Sequence, residues 1–157
     1  MKKKFFIGLF IVSAIGLFLF ANSVLNYDAQ TTQKQLQAPI EIPEGNIITM
    51  QEAQTSKKPI IALFYVDWCT YCIKFMPLFA KSSITNKDKF TFVAINCENP
   101  ENKIYLEKYG IIGYPTVHII DKQMDFNYLL NPASTISVET IQQELEKHLK
   151  LRAKVLK

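Results

Sequence analysis

A chain of 157 residues, 48% hydrophobic and 20% charged with a formal net charge of +4, has the composition of an ordinary globular protein with one domain of usual size. Its 18 basic residues include three lysines at positions 2–4, and the remainder stands close to parity with 14 acidic residues, which excludes a broad cationic face for nucleic acid. Three cysteines are too few, and odd in number, for a disulfide-stapled miniature fold, so the core must hold itself.

Residues 5–20 are apolar apart from Ser13 and the small Gly8 and Gly16. With no polar face to interrupt it, this stretch is a targeting or anchoring segment rather than a buried amphipathic helix. Its length falls between a signal-peptide core and a membrane span of about 20 residues. Ala21-Asn22-Ser23 offers small residues to a signal peptidase, whereas continuation to Leu25 gives a retained anchor that holds residues 5–25 in the membrane. Lysines ahead of the apolar core keep the amino end in the cytoplasm, so the remainder is expected on the extracytoplasmic side. No cysteine follows the segment before Cys69, which argues against a lipid-modified start. Residues 26–44 are rich in Gln and Thr without apolar periodicity and read as a polar linker. The domain is expected over residues 45–152, with a basic tail at 153–157.

Within the domain, residues 60–66 read as a buried strand and residues 69–83 as a helix. Residues 90–95 give a second strand and 100–109 a second helix, with Asn99 as cap, Pro100 at the first helical position and Gly110 at the left-handed stop. Strands over 116–120 and 126–130 follow, with a turn between them. Ser137 then caps a last helix whose apolar stripe is Val138, Ile141, Leu145 and Leu149. The cations Lys147, Lys150, Arg152, Lys154 and Lys157 near its end read as a solvated terminus favoured by the helix dipole. Strands alternating with helices predict an α/β fold, a central mixed sheet flanked by helices.

The chemistry concentrates in Trp68-Cys69-Thr70-Tyr71-Cys72, directly after the first strand. This arrangement puts Cys69 at the opening of a helix and Cys72 one turn on. Side chains three apart on a helix have β-carbons about 5–6 Å apart, within reach of a disulfide after a small adjustment, so the two read as a redox pair.

Several separated positions agree with one family. Besides Trp68-Cys69-x-x-Cys72, the chain carries Pro77 within the helix, Asn99-Pro100-Glu101 leading to Tyr109-Gly110-Ile111, and Gly113-Tyr114-Pro115-Thr116. Over roughly residues 45–150 it resembles the thioredoxin superfamily. The hydrophobic start and linker make the layout similar to membrane-anchored periplasmic thioredoxin-like thiol-disulfide oxidoreductases of bacteria. The resemblance implies a thioredoxin fold preceded by a hydrophobic helix, and an extracytoplasmic location in the periplasm or cell envelope, anchored or secreted. It implies that Pro115 is cis and that Trp68, Thr70, Tyr71, Tyr114 and Pro115 bind substrate beside the catalytic Cys69 and Cys72. It also implies no cofactor beyond a redox-active Cys69–Cys72 disulfide, protein thiols and disulfides as partners, a transmembrane redox partner, and a monomer without nucleic acid.

A helix amino end favours the thiolate, so Cys69 is the expected nucleophile and Cys72, on the inward side, the resolving thiol. Two departures from the family bear on direction. The buried acid of many members is Leu63 here and the neighbouring-strand lysine is Val93, so the usual proton relay is absent; Asp67 is expected to be exposed at the strand end. The intervening Thr70-Tyr71 lacks the histidine of strong oxidants, which predicts a potential in the reducing half of a range from about −270 to about −120 mV. Cys97 reads as a small buried hydrophobe, and His118 and His148 lack ligand spacing. Two rival functions stand in other classes: copper or zinc binding or delivery through Cys69, Cys72, Cys97 and His118, and a non-catalytic chaperone or binding module on the same surface.

Overall fold

A computed structural model of the chain describes residues 39–130 and 137–157. The apolar segment 5–25 and the linker up to residue 38 lie outside the described residues, as does the capping approach at 131–136. Among the described residues no helix is long and apolar enough to cross a membrane.

The elements run β1 (Ile47–Ile48), α1 (Met50–Ala53), β2 (Ile60–Tyr65), α2 (Thr70–Asn86), β3 (Thr91–Asn96), a 3₁₀ turn (Pro100–Asn102), α3 (Lys103–Tyr109), β4 (Thr116–Asp121), β5 (Phe126–Leu129) and α4 (Val138–Val155). They form the thioredoxin fold: a five-stranded mixed sheet ordered β1-β3-β2-β4-β5. The first three strands are parallel, while β4 runs antiparallel to β2 and β5 antiparallel to β4. All six residues of β2 are buried, as a central strand covered on both faces requires. On one face Phe92 meets Phe79 of α2 with ring centroids 5.3 Å apart, and Tyr128 meets His148 of α4. On the other, Phe64 and His118 meet Tyr109 of α3.

Local structure departs from the expected elements in three places. Helix α2 continues past Ser83 to Asn86, because Ser83 and Asn86 turn their side chains back onto the carbonyls of Ala80 and Ser82 and stay buried. Asn99 makes no side-chain cap; the stretch after it starts as a 3₁₀ turn, and Asn102 instead donates to the Asn96 carbonyl at 2.8 Å. Gly110 takes the left-handed stop as expected, with φ 63°. The buried side of α4 is Ile141, Leu145 and His148, with Val138 and Leu149 only half-buried.

The folded unit starts at Pro39, ahead of the boundary expected at 45. Its incoming chain lies against α2, where the Asn46 N–H donates to Ser83 Oγ at 2.8 Å. A β-carbon on Gly45 would sit 2.8 Å from that Oγ and 3.2 Å from the Ala80 carbonyl oxygen, so glycine permits the close approach.

Candidate active site

Strand β2 delivers the chain through Val66 and Asp67 to Trp68, and Cys69 then takes the N-cap position of α2 with extended backbone. The Cys69 Sγ accepts the Cys72 backbone N–H at 3.1 Å. It thereby occupies the place that a serine or aspartate oxygen fills at other helix starts, facing the unpaired amides of the first turn. All three cysteines are free thiols. Cys72 is fully buried, and its thiol is pushed up to about 12, first by burial and then by its hydrogen bond to the Cys69 sulfur. The two sulfurs are therefore unequal: the buried Cys72 thiol keeps its proton, and the Cys69 sulfur accepts the Cys72 backbone N–H. Cys69 itself is only 6% exposed, more covered than a freely accessible nucleophile, because its side chain folds over the helix end.

Trp68 (59% exposed) and Tyr71 (75%) flank the pair, and Thr70 is exposed between them. The loop before β4 closes the site from the other side. Its Tyr114–Pro115 bond is cis, and the Tyr114 ring meets Trp68 edge-on with centroids 6.5 Å apart. Thr116 Oγ1 donates to the Gly113 carbonyl at 2.7 Å and tightens the loop. Of the residues expected at the site, Trp68 meets Tyr114 and Cys72 meets Cys69, with Pro115 next to Tyr114 in the same loop.

The family model described as Thioredoxin matches residues 49–148, most of the folded unit. The chain belongs to the thioredoxin family. It is similar to protein disulfide-isomerase 1 of Dictyostelium discoideum (28% identity over 125 residues, 73% of this chain and 33% of that protein). It is also similar to the chloroplastic thioredoxin-like protein HCF164 of Oryza sativa subsp. japonica (32% over 79 residues, 50% of this chain and 30% of that protein). The chain thus spans about a third of the length of these curated relatives. Among solved structures, the Trx4 domain of ERdj5 superposes with a TM-score of 0.57 at 21% identity, covering 69% of this chain and 99% of that one. A thioredoxin from Thermus thermophilus gives 0.55 at 15%, covering 68% and 88%. At such identities these structures bear on the fold alone.

Measured against the family's pattern, the surroundings of this thioredoxin-family pair are apolar. Leu63 is fully buried where many members have an acid. The strand register corrects its neighbour: Leu63 pairs with Ala94, whereas Val93 pairs with Ala62 and faces the opposite side of the sheet. Either way the lysine is missing. Asp67 is not exposed as expected. It is half-buried, and its two oxygens accept the Ile40 N–H at 2.8 Å and the Asn96 side-chain amide at 2.9 Å, so the carboxylate is a structural clamp.

Among the described residues no group of three or more His, Cys, Asp or Glu side chains is placed to hold a metal ion, so Cys69, Cys72, Cys97 and His118 do not assemble as a donor set. His118 packs between Phe64 and Tyr109, and burial holds its pKa below the usual value. One feature was not visible in the sequence as a site feature: Ile112, in the loop just before Tyr114, is fully exposed at 102%. An isoleucine set between Gly110 and Gly113 was the available signal.

Proposed function

We propose that this protein is a thiol-disulfide oxidoreductase that acts on protein disulfides through Cys69 and Cys72, outside the cytoplasm and in the reducing direction. The observation that carries it is the unequal pair, with Cys69 Sγ on a helix amino end accepting the Cys72 backbone N–H, and the Cys72 thiol buried and held protonated. Helix amino ends present unpaired amides to an anion, and the reacting form of a thiol is its thiolate. The thiolate attacks one sulfur of a client disulfide; a Cys69–client bond forms, the client S–S bond breaks, and the departing client sulfur takes a proton. Cys72 then gives up its proton and attacks the Cys69 sulfur. The second client sulfur leaves with the bonding pair, and the client has gained two electrons while Cys69–Cys72 becomes the disulfide.

No group beyond that disulfide is required. Pro115 lacks a backbone N–H that could compete for the sulfurs, and the backbone of residues 114–116 offers an edge for an extended client segment, with Trp68, Thr70, Tyr71 and Tyr114 around it. Resetting the pair needs a dithiol donor, and the lysine-led apolar segment favours a membrane-embedded one acting on the extracytoplasmic side. The reducing direction is supported by Thr70-Tyr71, which puts no histidine beside the thiolate.

Insulin reduction by the full-length protein tests this. Wild type is expected to turn over with dithiothreitol as donor, Cys69→Ser to lose turnover altogether, and Cys72→Ser to accumulate Cys69–client mixed disulfides. Normal turnover by both variants would sink the mechanism. Equilibration with glutathione or dithiothreitol buffers, followed through Trp68 fluorescence, is expected to place the potential in the reducing half of the range from about −270 to about −120 mV, and a value at the oxidising end reverses the direction.

A further inference from the structure

We propose that Glu98 is a positioning residue for the exchange reaction: its carboxylate holds the backbone N–H of Asp67 and, as one side of a closed ring of hydrogen bonds, fixes the turn that carries Trp68 and Cys69. The proposal rests on the exchange reading above. Glu98 acts through the main chain and needs no contact with either sulfur.

The reactive sulfur hangs from a short turn. After β2 the chain folds back so that the Cys69 N–H donates to the Val66 carbonyl at 3.2 Å, with Asp67 and Trp68 at the tip. Glu98 Oε2 accepts the Asp67 N–H at 2.7 Å, short as expected for an N–H meeting a carboxylate. Asp67 Oδ2 accepts the Asn96 side-chain amide at 2.9 Å, and Asn96 Oδ1 accepts the Glu98 N–H at 2.9 Å. Each of the three residues thus gives one bond and takes one, and the ring closes. Its order also settles the Asn96 amide, whose oxygen meets an N–H and whose nitrogen meets a carboxylate.

Behind the ring stands the sheet. Asn96 ends β3, and its carbonyl accepts the Asn102 side-chain amide at 2.8 Å and the Asn99 N–H at 3.3 Å. Next to it the Cys97 N–H donates to the Tyr65 carbonyl at 2.8 Å, so the last residue of β2 and the tip of the turn are both tied to the end of β3. Asn96 and the Ile40 N–H engage the Asp67 side chain, whereas Glu98 engages its backbone. Glu98 is therefore the arm that sets the path of the main chain into Cys69. Small displacements of a nucleophile slow its attack without altering how a client docks.

In reduced full-length protein mixed with excess insulin, Glu98→Ala should lower the maximal single-turnover rate about three- to tenfold, with the half-saturating insulin concentration unchanged. Glu98→Gln keeps the reach and an acceptor oxygen without the charge, and should stay within about twofold of wild type. Glu98→Asp keeps the charge on a side chain one carbon shorter and should fall with the alanine variant. Hydrogen exchange at the Asp67 amide reads the bond itself: protection should drop in the alanine and aspartate variants and persist in the glutamine variant.

Glu98 is exposed, so none of these changes opens the core. An alanine variant with wild-type rate or wild-type Asp67 protection, a glutamine variant as slow as alanine, or a loss confined to the half-saturating concentration would each overturn the proposal. Failure of wild type to reduce insulin, with Asp67 protection following the variants as expected, would instead count against the exchange reading.

Discussion

Cys72 sets the alkaline behaviour of the reduced protein. Its thiol is raised to about 12 in the fold, by burial first and by the bond to Cys69 second, whereas an unfolded cysteine titrates near about 8.5. A folded-state value above the unfolded one means that the stabilisation is complete below about pH 8.5 and is lost as pH climbs towards the folded value. Reduced wild type should therefore lose stability in denaturant titrations between about pH 9 and 12, by up to about 1.4 kcal/mol per pH unit from this group. Cys97, raised to about 11, and Tyr128, raised to about 12, add to the same fall. A reduced Cys72→Ala variant should show a shallower slope, and parallel slopes would remove Cys72 as a cause. The pair itself was legible in the sequence, because a strand running into Cys-x-x-Cys leaves little freedom for where the sulfurs go. The contact of Tyr114 with Trp68 was not: it joins residues on different loops, and only the folded sheet brings them together.

At the scale of elements, the clearest surprise lies at the end of α4. The cations there read as a solvated terminus, yet Arg152 Nε donates to Asp121 Oδ2 at 2.7 Å, and His148 Nε2 sits 3.1 Å from the same oxygen. The Gln123 backbone N–H donates to Asp121 Oδ1 at 3.1 Å, and Gln123 also pairs through its side chain with Arg152. Asp121 is 1% exposed, and these partners satisfy its oxygens in the interior. Asp121→Ala is expected to cost about 3–5 kcal/mol in chemical denaturation. Since Asp121 closes a six-residue β4 whose other end, Thr116, adjoins the Pro115 loop, insulin reduction by the folded variant should be unchanged. An equal loss of activity in the folded variant would contradict that separation. Periodicity revealed the helix but missed its third inward residue, because His148 is polar and joins the stripe only when a buried acid awaits it. The Asn99 cap failed for a related reason, since a tighter opening turn and Asn102 took over the local hydrogen bonding.

For the whole molecule, alternating strands and helices were enough to anticipate a mixed sheet between helices, because only a few layerings bury such faces. The start of the folded unit was hidden. Residues 39–46 show no apolar periodicity, and they attach through the backbone amides of Ile40 and Asn46, groups that every residue type carries. Asp67→Ala should release the first of these. Amide exchange at Ile40 should speed up markedly, with a stability loss of about 1.5–3 kcal/mol, the range for hydrogen bonds to a charged group; unchanged exchange at Ile40 would show that other contacts hold the segment. The same carboxylate steadies the Asn96 end of β3 and stands two residues before Cys69. Mechanical load entering the fold along the backbone from residue 39 is thus borne first at the hinge of the reactive turn, ahead of any strand, so tension on that segment and the geometry of the sulfurs are joined through one side chain.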